Sequence, residues 1–454
     1  MAAANQKNDF TQGKIWQVIL RMAAPMALAQ LVNVLYNVVD RVYIGHIPAV
    51  GSVALTGLGL TMPVVSVISA FAMLCGTGGA PLCSISRGAG DLDYARRVMG
   101  NSFALLLCFG VALTLILQLW LRPILFAFGA SEATWPYAGT YTRIYSLGTI
   151  FVMISLGMNS FINAQGFART GMGTVLLGAA VNLVLDPVFI FLFHMGISGA
   201  AIATVIAQGV SALWVLRFLT GKKAILRLDL PSLRPDGDIL RRIVSLGMTG
   251  FMMSITNGLV QIVCNRQLRT YGGDLYLGVM TVINSVREVF FMLTHGMSAG
   301  AQPVLGYNYG AKAYRRVKEG IRFTSLFCMV YGAFVWAVVL LFPTAFASVF
   351  NSDPELLAAC ASAMRIYFAG FVFMSLQSAG QSIFVGLGKA RQAIFFSLLR
   401  KVIIVVPLVL LLPGLGFGVN GVFLSEPISD LLGGGACYIT MYFTLYRKME
   451  DLMK

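Results

Sequence analysis

The stretch from Gly178 to Phe193 reads GAAVNLVLDPVFIFLF. It is apolar on both sides of Asn182 and Asp186, and Pro187 follows the acid at once. It belongs to one of twelve segments of predominantly apolar residues, at 16–44, 52–78, 98–121, 137–162, 172–193, 199–219, 243–268, 276–300, 320–342, 358–385, 393–413 and 419–445. A helix needs about 20 such residues to cross a bilayer. The rest of the chain agrees: 454 residues, 57% hydrophobic and only 11% charged, with a mean hydropathy of +0.79, where soluble domains carry about 25% charged residues. The expected fold class is an all-α membrane protein with twelve transmembrane helices. The question is then why a segment suited to lipid carries an ionisable side chain in its middle.

The net charge of +15 does not point to nucleic acid, because of where it sits. Alternate loops hold most of the basic residues, among them Arg96, Arg97, Arg169, Lys222, Lys223, Arg315, Arg316, Lys389, Arg391, Arg447 and Lys448, while the other loops hold few, such as Arg122 and Arg269. This is the positive-inside pattern, and it predicts that both termini are cytoplasmic. Residues 1–14 are polar and the first apolar run is too long for a signal peptide's core, so no cleavable leader is read. The seven cysteines contain no CxxC and lie mostly inside spans, which reads as small buried hydrophobes rather than disulfides or a zinc site.

The chain repeats itself at an offset of about 220 residues. Arg96-Arg97-Val98 recurs as Arg315-Arg316-Val317, Pro123 as Pro343, Arg143-Ile-Tyr-Ser-Leu-Gly148 as Arg365-Ile-Tyr-Phe-Ala-Gly370, Ser155-Leu156 as Ser375-Leu376, and Arg169 as Arg391. Six spans in each half put the two halves in the same orientation. Such parallel repeats are typical of secondary transporters, with a cavity between the lobes. The expected organisation is an N-lobe at 1–220, a charged cytoplasmic linker at 221–241 containing Pro231 and Pro235, and a C-lobe at 242–454.

An ionised Asp at the centre of a membrane helix costs about 2.5–3.5 kcal/mol on insertion scales, so Asp186 needs a partner or a function. Asn182 lies one turn back on the same face, and Pro187 deprives the Leu183 carbonyl of its helical donor. In the first span Gln30, Asn33, Asn37 and Asp40 form one polar stripe, and in the sixth Ala200, Thr204 and Gln208 share a face. Brought together, these spans would make a pocket of oxygen acceptors with two carboxylates. Such a pair cannot ionise cheaply on both sides, would titrate as a unit, and would suit a proton or a small cation. Plainer readings stand beside this one. Asp40 adjoins Arg41 and could be an ion pair near a helix end, and Asp186 could be a structural acceptor before a proline kink. Glu288 follows Arg287 and reads as its ion-pair partner. Glu426 and Asp430 flank Pro427 and fit either a cavity wall or the cap of a broken helix. GYNYGAKAY, at 306–314, lacks the spacing and the Ser/Thr of a Walker A loop, and three scattered histidines build no catalytic triad. Neither an ATP-driven pump nor an enzyme is read.

The chain resembles the MATE (multidrug and toxic compound extrusion) transporters over nearly its whole length. The resemblance rests on PMALAQLVNVLYNVVDRVYIG at 25–45, SRGAGDLDYARRV at 86–98, NAQGFARTGM at 163–172 and, most specifically, NLVLDPVFIFLFHMGISGAAIAT at 182–204. It implies twelve helices in two six-helix lobes around a V-shaped cavity, and efflux of organic cations against a sodium or proton gradient. It also implies an N-lobe cation site at Asp40, Asn182, Asp186, Ala200 (through its carbonyl) and Thr204, with Na+ conceivable at Asp40, Asn182 and Asp186. The chain departs from branches of the family with acids on the seventh and tenth spans. Here those spans offer Ser254, Asn257, Gln261 and Asn265, and Gln377 and Gln381.

The expected function is therefore cation-coupled antiport of amphipathic cationic small molecules, with no cofactor beyond the coupling H+ or Na+. The protein is expected to be a monomer in the cell (inner) membrane. Candidate cavity residues are Asn33, Tyr36, Asn37, Gln208, Asn257, Gln261, Glu288, Gln377 and Gln381. The alternative is a flippase for lipid-linked oligosaccharide or lipid, whose cavity should be rich in deep arginines. The deep charges here read as mainly acidic, which favours cationic cargo.

Overall fold

The computed structural model describes residues 9–451 and 453 apart from 46–50, 129, 133 and 350–352, and leaves undescribed the side chains of residues 37, 38, 41, 42, 45, 51–57 and 274. Its helices are α1 (Ile15–Gly45), α2 (Gly51–Gly88), α3 (Leu92–Ala127), the bent pair α4 (Trp135–Leu147 and Thr149–Ala164), α5 (Ala168–Leu192) and α6 (Gly196–Thr220). Then follow α7 (Gly237–Gly273), α8 (Leu275–Gly310), α9 (Tyr314–Leu341), α10 (Pro354–Gly386), α11 (Ala390–Leu411) and α12, a series of α- and π-helical turns over 418–446. By length and composition, ten of these helices could each cross a membrane, and the bent pair makes an eleventh span. α12 lies apart because Glu426, Pro427 and Asp430 interrupt its apolar run. Large apolar side chains such as Leu119, Leu213, Ile262 and Leu341 point outward, as they can where the solvent is hydrocarbon.

Local chemistry sets the helix ends. The Asp91 carboxylate caps α3 by accepting from the Tyr94 N–H at 2.9 Å. Asp353 does the same for α10 from the Glu355 N–H, with Pro354 at the first helical position. α7 gives way to α8 at Gly273, whose φ of +69° and ψ of −165° suit glycine alone. The seven cysteines are all free thiols.

The chain divides into two compact units. Unit 1 contains Leu28–Phe251, and unit 2 contains Phe10–Ala27 together with Met252–Lys454. Sequence repeat and compact unit are thus different partitions: α1 begins in unit 2 and continues in unit 1, and α7 does the converse. Glycine explains both exchanges. In unit 1 a Cβ on Gly247 of α7 would sit 1.9 Å from the Leu74 carbonyl oxygen, and one on Gly78 of α2 would sit 2.1 Å from that of Ile243. In unit 2 a Cβ on Gly296 or Gly300 of α8 would meet Ala27 or Ala23 of α1 at 2.6 or 2.5 Å. Small residues let helix backbones touch where lipid supplies no hydrophobic drive for association.

The linker belongs to unit 1 and is docked against it. Asn101 of α3 donates to the Arg234 carbonyl at 3.0 Å and accepts from the Asp236 N–H at 2.8 Å, and Arg97 pairs with Asp236. Gln165 accepts from the Leu226 N–H at 2.8 Å. In unit 2 the segment before α1 is held similarly. Arg316, the repeat partner of Arg97, donates to the carbonyls of Phe10, Gln12 and Gly13.

Candidate ion site in unit 1

Pro187 has no N–H to give to the helix, and immediately after it α5 widens into a π-helical turn over Val188–Leu192. Just before that change, Asn182 and Asp186 are both 1% exposed. The Asn182 amide donates to Asp186 Oδ1 at 3.2 Å and to the Thr204 hydroxyl at 3.4 Å, and Thr204 in turn donates to the Ala200 carbonyl at 2.9 Å. α6 can approach this closely because Gly199 lies on the α5 backbone, where a Cβ would come within 2.8 Å of the Phe189 carbonyl carbon.

α1 supplies the second acid. Asp40 is 8% exposed, and its carboxyl lies within hydrogen-bonding reach of that of Asp186. The structure therefore brings together Asp40, Asn182, Asp186, Ala200 and Thr204. The bend of 64° in α4, at Gly148, turns both arms of that helix toward α6. On one arm Ser155 donates to Gln208 Oε1 at 2.6 Å. On the other, Tyr141 and Tyr145 stack with ring centroids 6.0 Å apart, and Tyr141 and Tyr36 both reach the Thr204 hydroxyl. Sequence reading did not single out Tyr141, Tyr145 or Ser155 for this site. Their signals were the Tyr-x-x-x-Tyr spacing and the recurrence of Tyr145 and Ser155 in the second repeat.

The chemistry follows from the acceptor count. Asp186 Oδ2 and the Asn182 carbonyl oxygen Oδ1 are buried with no hydrogen-bond donor among the described residues, and orphaned buried acceptors call for an explanation. Two carboxyl groups in contact cannot both stay ionised without a cation or proton between them. All the converging atoms are oxygens, which suits a proton or a hard monovalent cation. Among the described residues no trio of His, Cys, Asp or Glu side chains gathers to hold a metal ion.

The remaining candidates are more scattered. The Asn37 and Arg41 side chains lie outside the described residues, so the reading of Asp40 as paired with Arg41 does too. Asn33 is exposed on α1, in unit 1. In unit 2, Asn257 and Glu288 are exposed, and Gln261 joins Asn265 and Asn284 in a hydrogen-bonded string. Gln377 and Gln381 are buried among the unit's own helices, and Gln381 donates to the Ala393 carbonyl at 3.4 Å. Arg287 does not turn to Glu288. It donates to the Tyr367 hydroxyl at 3.2 Å. Glu426 and Asp430 are buried and pair with Lys401 and Arg400, partners that neither the cavity reading nor the helix-cap reading included. The expectation of mainly acidic deep charge thus holds for unit 1 alone. It overlooked two consecutive basic residues in the middle of the eleventh span.

Comparison with known proteins identifies the family. The family model MatE matches residues 25–188 and 248–433. Multidrug export protein MepA of Staphylococcus haemolyticus is 25% identical over 441 residues, covering 96% of this chain and 94% of its own. MepA of Staphylococcus aureus is 24% identical over 448 residues, covering 97% of each. Among solved structures, MATE in its bent conformation superposes with a TM-score of 0.91 at 22% identity, covering 97% of both chains. An outward-facing multidrug resistance MATE transporter superposes at 0.90, also at 22% identity, covering 98% of both. The chain belongs to the MatE family and is a multi-pass membrane transporter of the MATE type.

Proposed function

We propose that this protein is a secondary active multidrug exporter, which moves amphipathic organic cations out of the cell in exchange for H+ or Na+ taken up at the Asp40–Asp186 pair. The observation that carries this reading is the contact between the two buried carboxyls, with Asp186 Oδ2 and Asn182 Oδ1 left without donors. An entering cation or proton satisfies those oxygens and removes the repulsion between the acids. Its departure restores the charge and with it the attraction for a cationic cargo. The site thus alternates between coupling ion and drug, and alternately opens to the two sides of the membrane. The names of the staphylococcal relatives, both multidrug export proteins, support the substrate class. In this reading the protein works as a monomer in the cytoplasmic membrane, and the excess of Lys and Arg in alternate loops supports cytoplasmic termini.

The driving force is sufficient without ATP. One net charge moving inward across 100 mV, as when two coupling ions are exchanged for one monovalent organic cation, releases about 2.3 kcal/mol, roughly a 40-fold uphill ratio at 1.4 kcal/mol per decade. The test is flux of a fluorescent organic cation in reconstituted vesicles, with a sodium gradient and a pH gradient imposed separately. Export should follow one of the two gradients. Export that ignores both would remove the coupling reading.

A further inference from the structure

Unit 2 holds a second buried cluster of charge. α11 contributes Arg400 and Lys401 from its π-helical turn Leu399–Val405, and α12 contributes Glu426 and Asp430. Arg400 pairs with Asp430, and Lys401 donates to Glu426 at 3.0 Å. All four side chains are buried, and they close as two matched pairs. A fifth ion is left over. Arg287 of α8 donates to the Tyr367 hydroxyl of α10, and among the described residues no carboxylate lies within ion-pairing distance of it. Its sequence neighbour Glu288 is exposed, about 100° further round the helix. The buried Tyr367 hydroxyl accepts from Arg287, so its own proton is free to point elsewhere, and among the described residues it meets no acceptor.

The cluster also has a definite place in the repeat. Gly421 lies on the end of α11, where a Cβ would come 2.8 Å from the Leu412 carbonyl carbon, just as Gly199 lies on the end of α5. The interval of 222 residues between those glycines maps Tyr145 onto Tyr367, Thr204 onto Glu426 and Gln208 onto Asp430. Unit 2 therefore carries two carboxylates at the equivalents of Thr204 and Gln208, with three cations around them, whereas the equivalents of Asp40 and Asp186 are Ile262 and Leu408.

We propose that this cluster is an anion site, in which the Arg287 guanidinium and the Tyr367 hydroxyl together bind one small monovalent inorganic anion of the chloride type. Arginine keeps its proton, and an unmatched cation at membrane depth is costly unless something anionic meets it. A guanidinium fork is weakly hydrated and rich in donors, and the phenol adds an O–H. The surplus is a single charge, and the nearby carboxylates of Glu426 and Asp430 disfavour a divalent guest.

The test uses the purified full-length protein in potassium chloride or potassium gluconate at equal ionic strength, with thermal unfolding and radioactive chloride binding as readouts. Wild type should bind one chloride per chain saturably, and its Tm should rise by about 3 °C or more at saturation. Arg287→Gln should lose both effects. Tyr367→Phe should weaken chloride binding about 5–10-fold, the loss of one hydrogen bond. Asp186→Asn should keep the full response, which separates this proposal from the ion-coupling reading. Identical melting in the two salts, or an equal chloride response in Arg287→Gln, would overturn it and leave the surplus charge to be shed as a proton from Lys401. If Arg287→Gln does not fold, unchanged chloride affinity in Tyr367→Phe overturns it as well.

Discussion

Five and nine residues beyond Gly199, α6 presents Thr204 and Gln208. At the same distances beyond Gly421, α12 presents Glu426 and Asp430. The scaffold is the same, yet the electrostatics are opposite. In unit 1 two acids face each other and a neutral amide, and buried oxygens stay unsatisfied. In unit 2 each acid has its own cation, and the excess is positive. Duplication therefore conserved the helix packing around Gly199 and Gly421 but not the positions of the charges: the equivalents of Asp40 and Asp186 are Ile262 and Leu408, and those of Glu426 and Asp430 are Thr204 and Gln208. An under-compensated acid pair is suited to taking up a proton or a cation, which is what the proposed coupling uses. A cluster with resident counter-charges is fixed by its own ion pairs, and its net excess is positive.

The contrast is sharpest for variants that remove one charge from each unit. Arg400→Met should be the most damaging to folding. It strands Asp430 in the interior, and breaking a buried pair costs about 3–5 kcal/mol. The melting temperature should fall steeply, and Arg400→Met combined with Asp430→Leu should recover most of the loss; equal stability of the single and double variants would break the comparison. Asp186→Asn should do the reverse, leaving the melting temperature near wild type while lowering gradient-driven export at least about 100-fold, some 2.8 kcal/mol at 1.4 kcal/mol per decade. Wild-type flux in vesicles would return Asp186 to a structural acceptor before the proline.

Smaller effects test the frame around the two sites. Gly78→Ala forces a methyl against the Ile243 carbonyl and should destabilise unit 1 by about 1–3 kcal/mol, read as a lower melting temperature with the ion preference of transport unchanged. Asp40→Asn should retain some export but lose the pH or sodium dependence, by about 10-fold in the ratio of driven to undriven flux; an unchanged ratio would assign Asp40 to a fixed ion pair. Asn101→Ala should cost about 1–2 kcal/mol and expose the linker near Arg234 to protease, measured by limited digestion.

Much of this was legible in the chain. Twelve apolar runs, the recurrence of Arg143-Ile-Tyr as Arg365-Ile-Tyr, and a carboxylate next to a proline in a lipid-suited segment specify a duplicated helical transporter with an acid site in its first half. Each of these signals is local: hydropathy, spacing along one helix, and the cost of an isolated charge are all properties of contiguous sequence. Asn182, Asp186, Ala200 and Thr204 were readable because helical periodicity puts each pair on one face.

What no single helix could reveal is which charges meet across helices. Arg400 and Lys401 read as an oddity of the eleventh span until α12 brings Glu426 and Asp430 beside them. Arg287 reads as the partner of Glu288 until Tyr367 of α10 takes its hydrogen bond. The docking of the first turns of α1 and α7 likewise depends on glycines far away in sequence, Gly300 and Gly78. The amino-acid sequence by itself determined the helices, their number and the presence of buried acid. Only the tertiary structure decided whether each buried acid has a cation beside it or faces another acid, because compensation is set by distances of 3 to 4 Å between atoms on different helices, and periodicity along a chain carries no record of those.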